Sequence, residues 1–183
     1  MSRYVLVPAV LGWAALGWAC QSPTDTSSTT TTDFIVATVA PSPATASGPT
    51  GRFYTFVPTN NQPSEQREFD WRTSFTAAVT LNSPGKDVTV TFPVKITSAT
   101  IRVQQATGGI ITPPTGTDTE HYEFDFTTSS NSFAAAGSTV NMNFNVWYDL
   151  PNLKREALVT LALVMADNDG RTFSKTVDVQ VAP

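Results

Sequence analysis

Two carboxylates, Glu123 and Asp125, stand two residues apart in a run that alternates polar and aromatic side chains from His121 to Phe126. On an extended strand they share one face with about 7 Å between them. That separation suits the paired acids of glycoside hydrolysis, and it equally suits a charged strand face turned to water. The second reading is the ordinary one, and Asp118 and Glu120 beside them only thicken a negative patch. Asn141, Asn143, Asn145 and Trp147 form another period-two row. Amides offer paired donors and acceptors and an indole offers a stacking face, so this row could be a flat platform for a sugar. The plainer alternative is an exposed polar strand face. Asp167 and Asp169, ahead of Gly170, could donate oxygens to a calcium ion. Calcium takes six to eight such ligands, and an Asp-Asn-Asp-Gly stretch is first of all a tight turn. His121 is the only histidine, and it is expected at the surface. No Gly-x-Ser-x-Gly elbow accompanies it, and Gly108-Gly109 lacks the Gly-Lys-Ser/Thr ending of a phosphate loop. One histidine and one cysteine are too few soft ligands for zinc. No catalytic set and no cofactor are expected.

The elements that must position these residues read as β-structure. From Asp33 onward the chain shows period-two runs and no helical period. Strands are expected over Phe34–Val39 and Gly51–Val57, joined by the Pro/Ser/Ala stretch 41–50. A long loop follows over 58–70. Trp71–Leu81 is expected to turn at 82–87 into a return strand, Val88–Ile96, with Pro93 marking an edge or bulge. Thr100–Gln104 reads as a short strand and 105–119 as a second long loop. The clearest strands come late. His121–Phe126 gathers Tyr122, Phe124 and Phe126 on one face. Ser138–Tyr148 gathers Val140, Met142, Phe144, Val146 and Tyr148 on one face. Ala157–Ala166 is apolar on both faces, hence central, and turns at 167–170 into Arg171–Val181. About eight to nine strands spaced by turn signals imply an antiparallel β-sandwich.

The chain has 183 residues, 11 basic against 15 acidic, a net charge of −4. Scattered Lys and Arg in an acidic chain disfavour nucleic-acid binding. Charged residues are 14 % of the total, below the usual ~25 %; Thr, Ser and Asn supply the polarity instead. Residues 21–32 are Ser/Thr-rich and almost without apolar side chains, so they are expected to remain a disordered linker. About 12 such residues span on the order of 20 Å.

Cys20 is the lone cysteine, and it follows a short apolar segment. Arg3 precedes the run from Val5 to Leu16, which is shorter than the ~20 residues of a spanning helix. A charged start, an apolar middle and small residues at Gly17 and Ala19 make residues 1–19 a secretory signal peptide. The stretch Leu16-Gly17-Trp18-Ala19-Cys20 resembles the lipobox of bacterial lipoproteins. That resemblance implies cleavage before Cys20, lipidation of its thiol, and a membrane as partner through the lipid. Two or three acyl chains anchor firmly where one does not. Gln21 in place of Asp points within that family to the outer membrane. Gly17-x-Ala19 also fits ordinary signal-peptidase cleavage, which would release a soluble secreted protein.

The hairpin Leu158–Val181, with its Asp-Asn-Asp-Gly turn and Thr/Val-rich return strand, resembles the last hairpin of bacterial immunoglobulin-like domains, including the polycystic-kidney-disease type. The resemblance implies an immunoglobulin-like β-sandwich over 33–183, after residues 20–32 as lipidated cysteine and linker. The expected function is that of an envelope-anchored lipoprotein with a non-catalytic binding, adhesion or structural role, toward an envelope protein or a glycan. The alternative is a carbohydrate-active enzyme or an accessory carbohydrate-binding module.

Overall fold

The structure, a computed structural model, describes residues 33–57, 63–106, 109–111, 121–150 and 153–183. Cys20, the linker, the remainder of both expected loops, and Asp118 and Glu120 lie outside these residues. Eleven strands are present: β1 Ile35–Ala40, β2 Ala44–Ser47, β3 Phe53–Phe56, β4 Glu65–Glu68, β5 Trp71–Leu81, β6 Val94–Gln105, β7 Tyr122–Thr128, β8 Ser132–Phe133, β9 Thr139–Tyr148, β10 Ala157–Ala166 and β11 Thr172–Ala182. The fold is all-β, and no helix among the described residues is long and apolar enough to cross a membrane.

Nine strands form one sheet in the order β7-β9-β5-β2-β11-β10-β6-β8, with β1 also paired to β5. Every pairing is antiparallel except that of β2 with β11. Short β2 carries the sheet from one half to the other: Ala46 pairs with Thr73 of β5, and Ala44 pairs with Val181 of β11. The halves share one interior. Phe75, Ala77, Val79 and Leu81 of β5 and Val140, Met142, Phe144 and Val146 of β9 are buried from one side. Val159, Leu161, Leu163 and Met165 of β10 with Val179 and Val181 of β11 are buried in the same cluster. At the far seam the Tyr122 hydroxyl of β7 donates to the carbonyl of Ile101 in β6 at 2.9 Å.

The strand faces of β5 and β9 follow the alternation in the sequence, and β10 is central, between β6 and β11, but only its Ala157, Val159, Leu161, Leu163 and Met165 face is buried; the other apolar face is half-buried, with Val164 exposed. Four expectations need correction. The strands number eleven rather than eight or nine. The expected hairpin of Trp71–Leu81 with Val88–Ile96 does not form: β6 begins at Val94 and pairs with β10 and β8, while β5 pairs with β1, β2 and β9. The backbone of 88–93 is committed elsewhere. The N–H of Val88 donates to Gly85, and the N–H of Thr91 donates to Asp167 Oδ2. Val88, Val90 and Phe92 pack against the core without being strand, so their alternation records packing alone. The joining stretch 41–50 contains β2. The expected loop 58–70 contains β4, which pairs with β3 as a separate two-stranded ribbon.

Candidate functional site

The sheet has two ends. At one, Ile35 lies beside Leu81, the N–H of Asn82 donates to the carbonyl of Phe34 at 2.8 Å, and the β10–β11 turn closes. At the other, Trp71, Tyr148 and Tyr122 stand side by side across β5, β9 and β7. The eleven residues of β5 put these ends about 33 Å apart. The chemistry concentrates at the second end.

There β9 ends at Tyr148 and is followed by Asp149, whose N–H donates to the carbonyl of His121 at 2.8 Å. Asp149 is 4 % exposed, and its Oδ1 accepts the N–H of Asp70 at 2.6 Å. His121 is 1 % exposed, correcting the expected surface position. The β3–β4 ribbon lies over this pair. The Tyr54 ring meets His121 edge-on at 4.8 Å and Phe69 at 4.7 Å. Tyr54, Phe56, Phe69 and Trp147 form a small apolar cluster separate from the main core. The root of the ribbon is stapled by the Glu68 carboxylate, which accepts the N–H groups of Thr50 and Gly51 at 2.8 and 2.6 Å. Gly51, at φ 66°, makes the bend into β3.

Burial sets the electrostatics. It is the largest influence on Asp149 and pushes its carboxyl above the ordinary value, against the opposing pull of the Asp70 N–H and the Tyr54 hydroxyl. Burial likewise raises Asp70, against the pull of Arg67. Burial, then neighbouring Asp149, raises the Tyr54 phenol. Among the described residues, four buried polar atoms at this end make no hydrogen bond: Trp71 Nε1, Thr73 Oγ1, His121 Nδ1 and Trp147 Nε1. Leaving such a group unpaired costs about 1–3 kcal/mol.

The Asn row is where the sequence places it, on one face of β9. Asn141 and Asn143 are exposed and Asn145 is half-buried. Their amides are knitted to neighbours: Thr76 donates to Asn143 Oδ1 at 2.7 Å, Ser74 to Asn145 Oδ1 at 2.8 Å, and Asn145 Nδ2 to Asp125 at 3.1 Å. Trp147 differs from the expected open stacking face. It is 8 % exposed, beneath the ribbon, with the Arg52 guanidinium 5.1 Å from its ring centre. Arg52 also pairs with Glu123 at 3.0 Å, while Asp125 stays exposed. Glu123 and Asp125 thus share the outer face with the Asn row but answer to different partners.

Asp167 and Asp169 lie at the opposite end. The Asp167 side chain is fully buried; its oxygens accept the N–H groups of Thr91, Asp169 and Arg171 and the Arg171 guanidinium at 2.9 Å. Burial pushes this carboxyl up, but those backbone donors and the guanidinium outweigh it and hold it below the ordinary value. Asp169 pairs with Arg171 at 3.1 Å and accepts the Thr91 hydroxyl. A cation here would compete with Arg171 for both carboxylates, and no group of three or more His, Cys, Asp or Glu among the described residues is placed to hold a metal.

Asp149, Tyr54 and Phe69 were not foreshadowed by the sequence. Their only signal is a charged residue directly after a strand whose inward face is wholly apolar. No family model matches the chain, and no curated protein or solved structure compared with it matches either.

Proposed function

We propose that this chain is an exported lipoprotein, anchored by a lipid on Cys20, whose head is an immunoglobulin-like β-sandwich serving as a non-catalytic binding module of the cell envelope. The observation that carries this reading is polarity. The residues next to the expected linker, Asp33 and Phe34, sit at one end of the sheet, and the ribbon, the buried Asp149–His121 pair and the ends of both expected loops sit at the other. A tether at one end and recognition elements at the other is the arrangement an anchored receptor needs. The immunoglobulin-like reading is supported by two antiparallel halves facing one core, and by the ten-rung β10–β11 hairpin. A non-catalytic role is supported by the engagement of the acids: Glu123 with Arg52, Asp167 with Arg171, and Asp149 with the Asp70 N–H under aromatic side chains. The acidic balance of the chain favours an envelope protein or glycan over nucleic acid as partner. Gln21 favours the outer membrane.

Labelled palmitate tests this directly. Incorporation is expected in the parent chain and lost in Cys20→Ser, with the variant passing from the membrane to the soluble fraction. A label that survives Cys20→Ser, or a mature chain beginning at Gln21, overturns the lipoprotein reading.

A further inference from the structure

We propose that the β3–β4 ribbon is a displaceable cover and that the floor beneath it, centred on the Trp147 indole, binds a neutral glycan. The inference rests on the reading of the head as a binding module and names its ligand class and its gate.

The cover is built to come away. Its strands are four residues each and hydrogen-bond to each other, not to the nine-stranded sheet. A two-stranded ribbon is marginal without a surface to pack on. Its grip on the floor consists of the small Tyr54, Phe56, Phe69 and Trp147 cluster, the ring contact with His121, the hydrogen bond of the Tyr54 hydroxyl to Asp149, and Arg52, whose ion pair with Glu123 is partly exposed. Exposed pairs of this kind hold weakly. Gly51, in the left-handed region with open space around it, lies at the root where a hinge is needed.

The floor is built to be used. Trp147 and His121 are each more than nine-tenths buried, yet Trp147 Nε1 and His121 Nδ1 have no hydrogen-bond partner among the described residues while the ribbon is down. Buried donors and acceptors in folded proteins are nearly always paired. Lifting the ribbon gives both atoms a partner, from water or from a ligand hydroxyl. It also bares one indole face in line with Asn145, Asn143 and Asn141, flanked by the hydroxyls of Ser74 and Thr76. An indole takes the apolar face of a sugar ring, and amides and hydroxyls take its rim. Glu123 and Asp125 border the floor on one side and Arg52 and Arg72 lie against Trp147 on the other, so neither sign of charge dominates and a neutral glycan fits.

The test uses the lipidated chain, beginning at Cys20, in detergent and in a Trp71→Phe background. The remaining tryptophans of the full sequence, Trp13 and Trp18, fall within the expected signal peptide, so Trp147 is the reporter. Acrylamide quenching and affinity are measured against hexasaccharides of β-1,4-glucose, β-1,4-N-acetylglucosamine and α-1,4-glucose. Loosening the cover with Tyr54→Phe, which removes the tie to Asp149 and leaves Arg52 over the indole, is expected to raise quenching of Trp147 and to tighten binding of at least one hexasaccharide by about tenfold, as follows when the open state is a minor population of the parent. Asn143→Ala, on an exposed position, is expected to weaken that binding and leave the circular dichroism unchanged. Quenching that does not respond to Tyr54→Phe overturns the cover. Quenching that rises while none of the three sugars binds overturns the glycan site. Neither result touches palmitate labelling of Cys20, so failure of this inference and failure of the anchored reading are told apart.

Discussion

Two aspartates in this chain expose little surface and behave oppositely, because Asp149 lies deeper and their neighbours differ. Asp149 is buried beside an aromatic cluster with one backbone donor on Oδ1, and its carboxyl is pushed up. Asp167 is buried among three backbone donors and a guanidinium, and it is pulled down. The folded state therefore binds the Asp149 proton more tightly than the unfolded chain does. The resulting stability is present at low pH and lost as pH rises from the ordinary value of 3.8 through the raised one. Asp167 works in the other sense: its contribution is present above 3.8 and lost as pH falls through its lowered value. Urea denaturation at pH 7 and at pH 3.5 checks both. Asp149→Asn, which keeps an acceptor for the Asp70 N–H, is expected to raise the midpoint at pH 7 and to lose that advantage at pH 3.5. Asp167→Asn is expected to lower the midpoint at pH 7, with the deficit narrowing in acid. Equal effects at both pH values for either variant would contradict the assigned electrostatics.

Strands whose two faces differ in polarity were legible, and strands fixed only by partners were not. β9 is the clearest: Val140, Met142, Phe144, Val146 and Tyr148 are buried in strict alternation with the Asn row. Phe144 stacks on Phe75 at 5.2 Å and lies 5.3 Å from Phe126, so it joins β5, β9 and β7 on the core side. Phe144→Ala is expected to cost about 3–5 kcal/mol in chemical denaturation. A loss under 1 kcal/mol would mean that Phe144 does not hold β5, β9 and β7 together. By contrast β4 is Glu-Gln-Arg-Glu, with no apolar residue to announce a strand, and only its ladder to β3 makes it one. β2 is four small residues between prolines, a strand because two other strands flank it. Val88–Phe92 failed in the reverse sense, since its alternation is real but Gly85 and Asp167 hold its backbone. The candidate site shared that fate. The Asn row was readable from period two, whereas the burial of Trp147 and His121 depends on the ribbon, which local pattern does not reveal.

Taken whole, the molecule has a direction, and the direction is testable without knowing the ligand. Asp33 and Phe34 border a hollow of about 260 Å³ with Gly85, Asp87 and Val88. Glu65, in the ribbon, belongs to the opposite end. With Cys20 in a bilayer, about 12 linker residues allow the head to stand on the order of 20 Å away, less than the ~33 Å between the ends of β5. The Gly85 end should therefore visit the headgroups and the Glu65 end should not. A nitroxide fits at either site: a side chain at Gly85 meets no atom within 4 Å, and Glu65 is exposed. In vesicles carrying the lipidated chain, a label on Gly85→Cys is expected to show stronger relaxation by a lipid-bound paramagnet than one on Glu65→Cys. Deleting residues 21–32 should enlarge the difference, because the head is drawn down by its near end. Equal relaxation at the two sites would mean that the head has no preferred end toward the membrane, and stronger relaxation at Glu65 would mean that the ribbon faces it; either result overturns the direction.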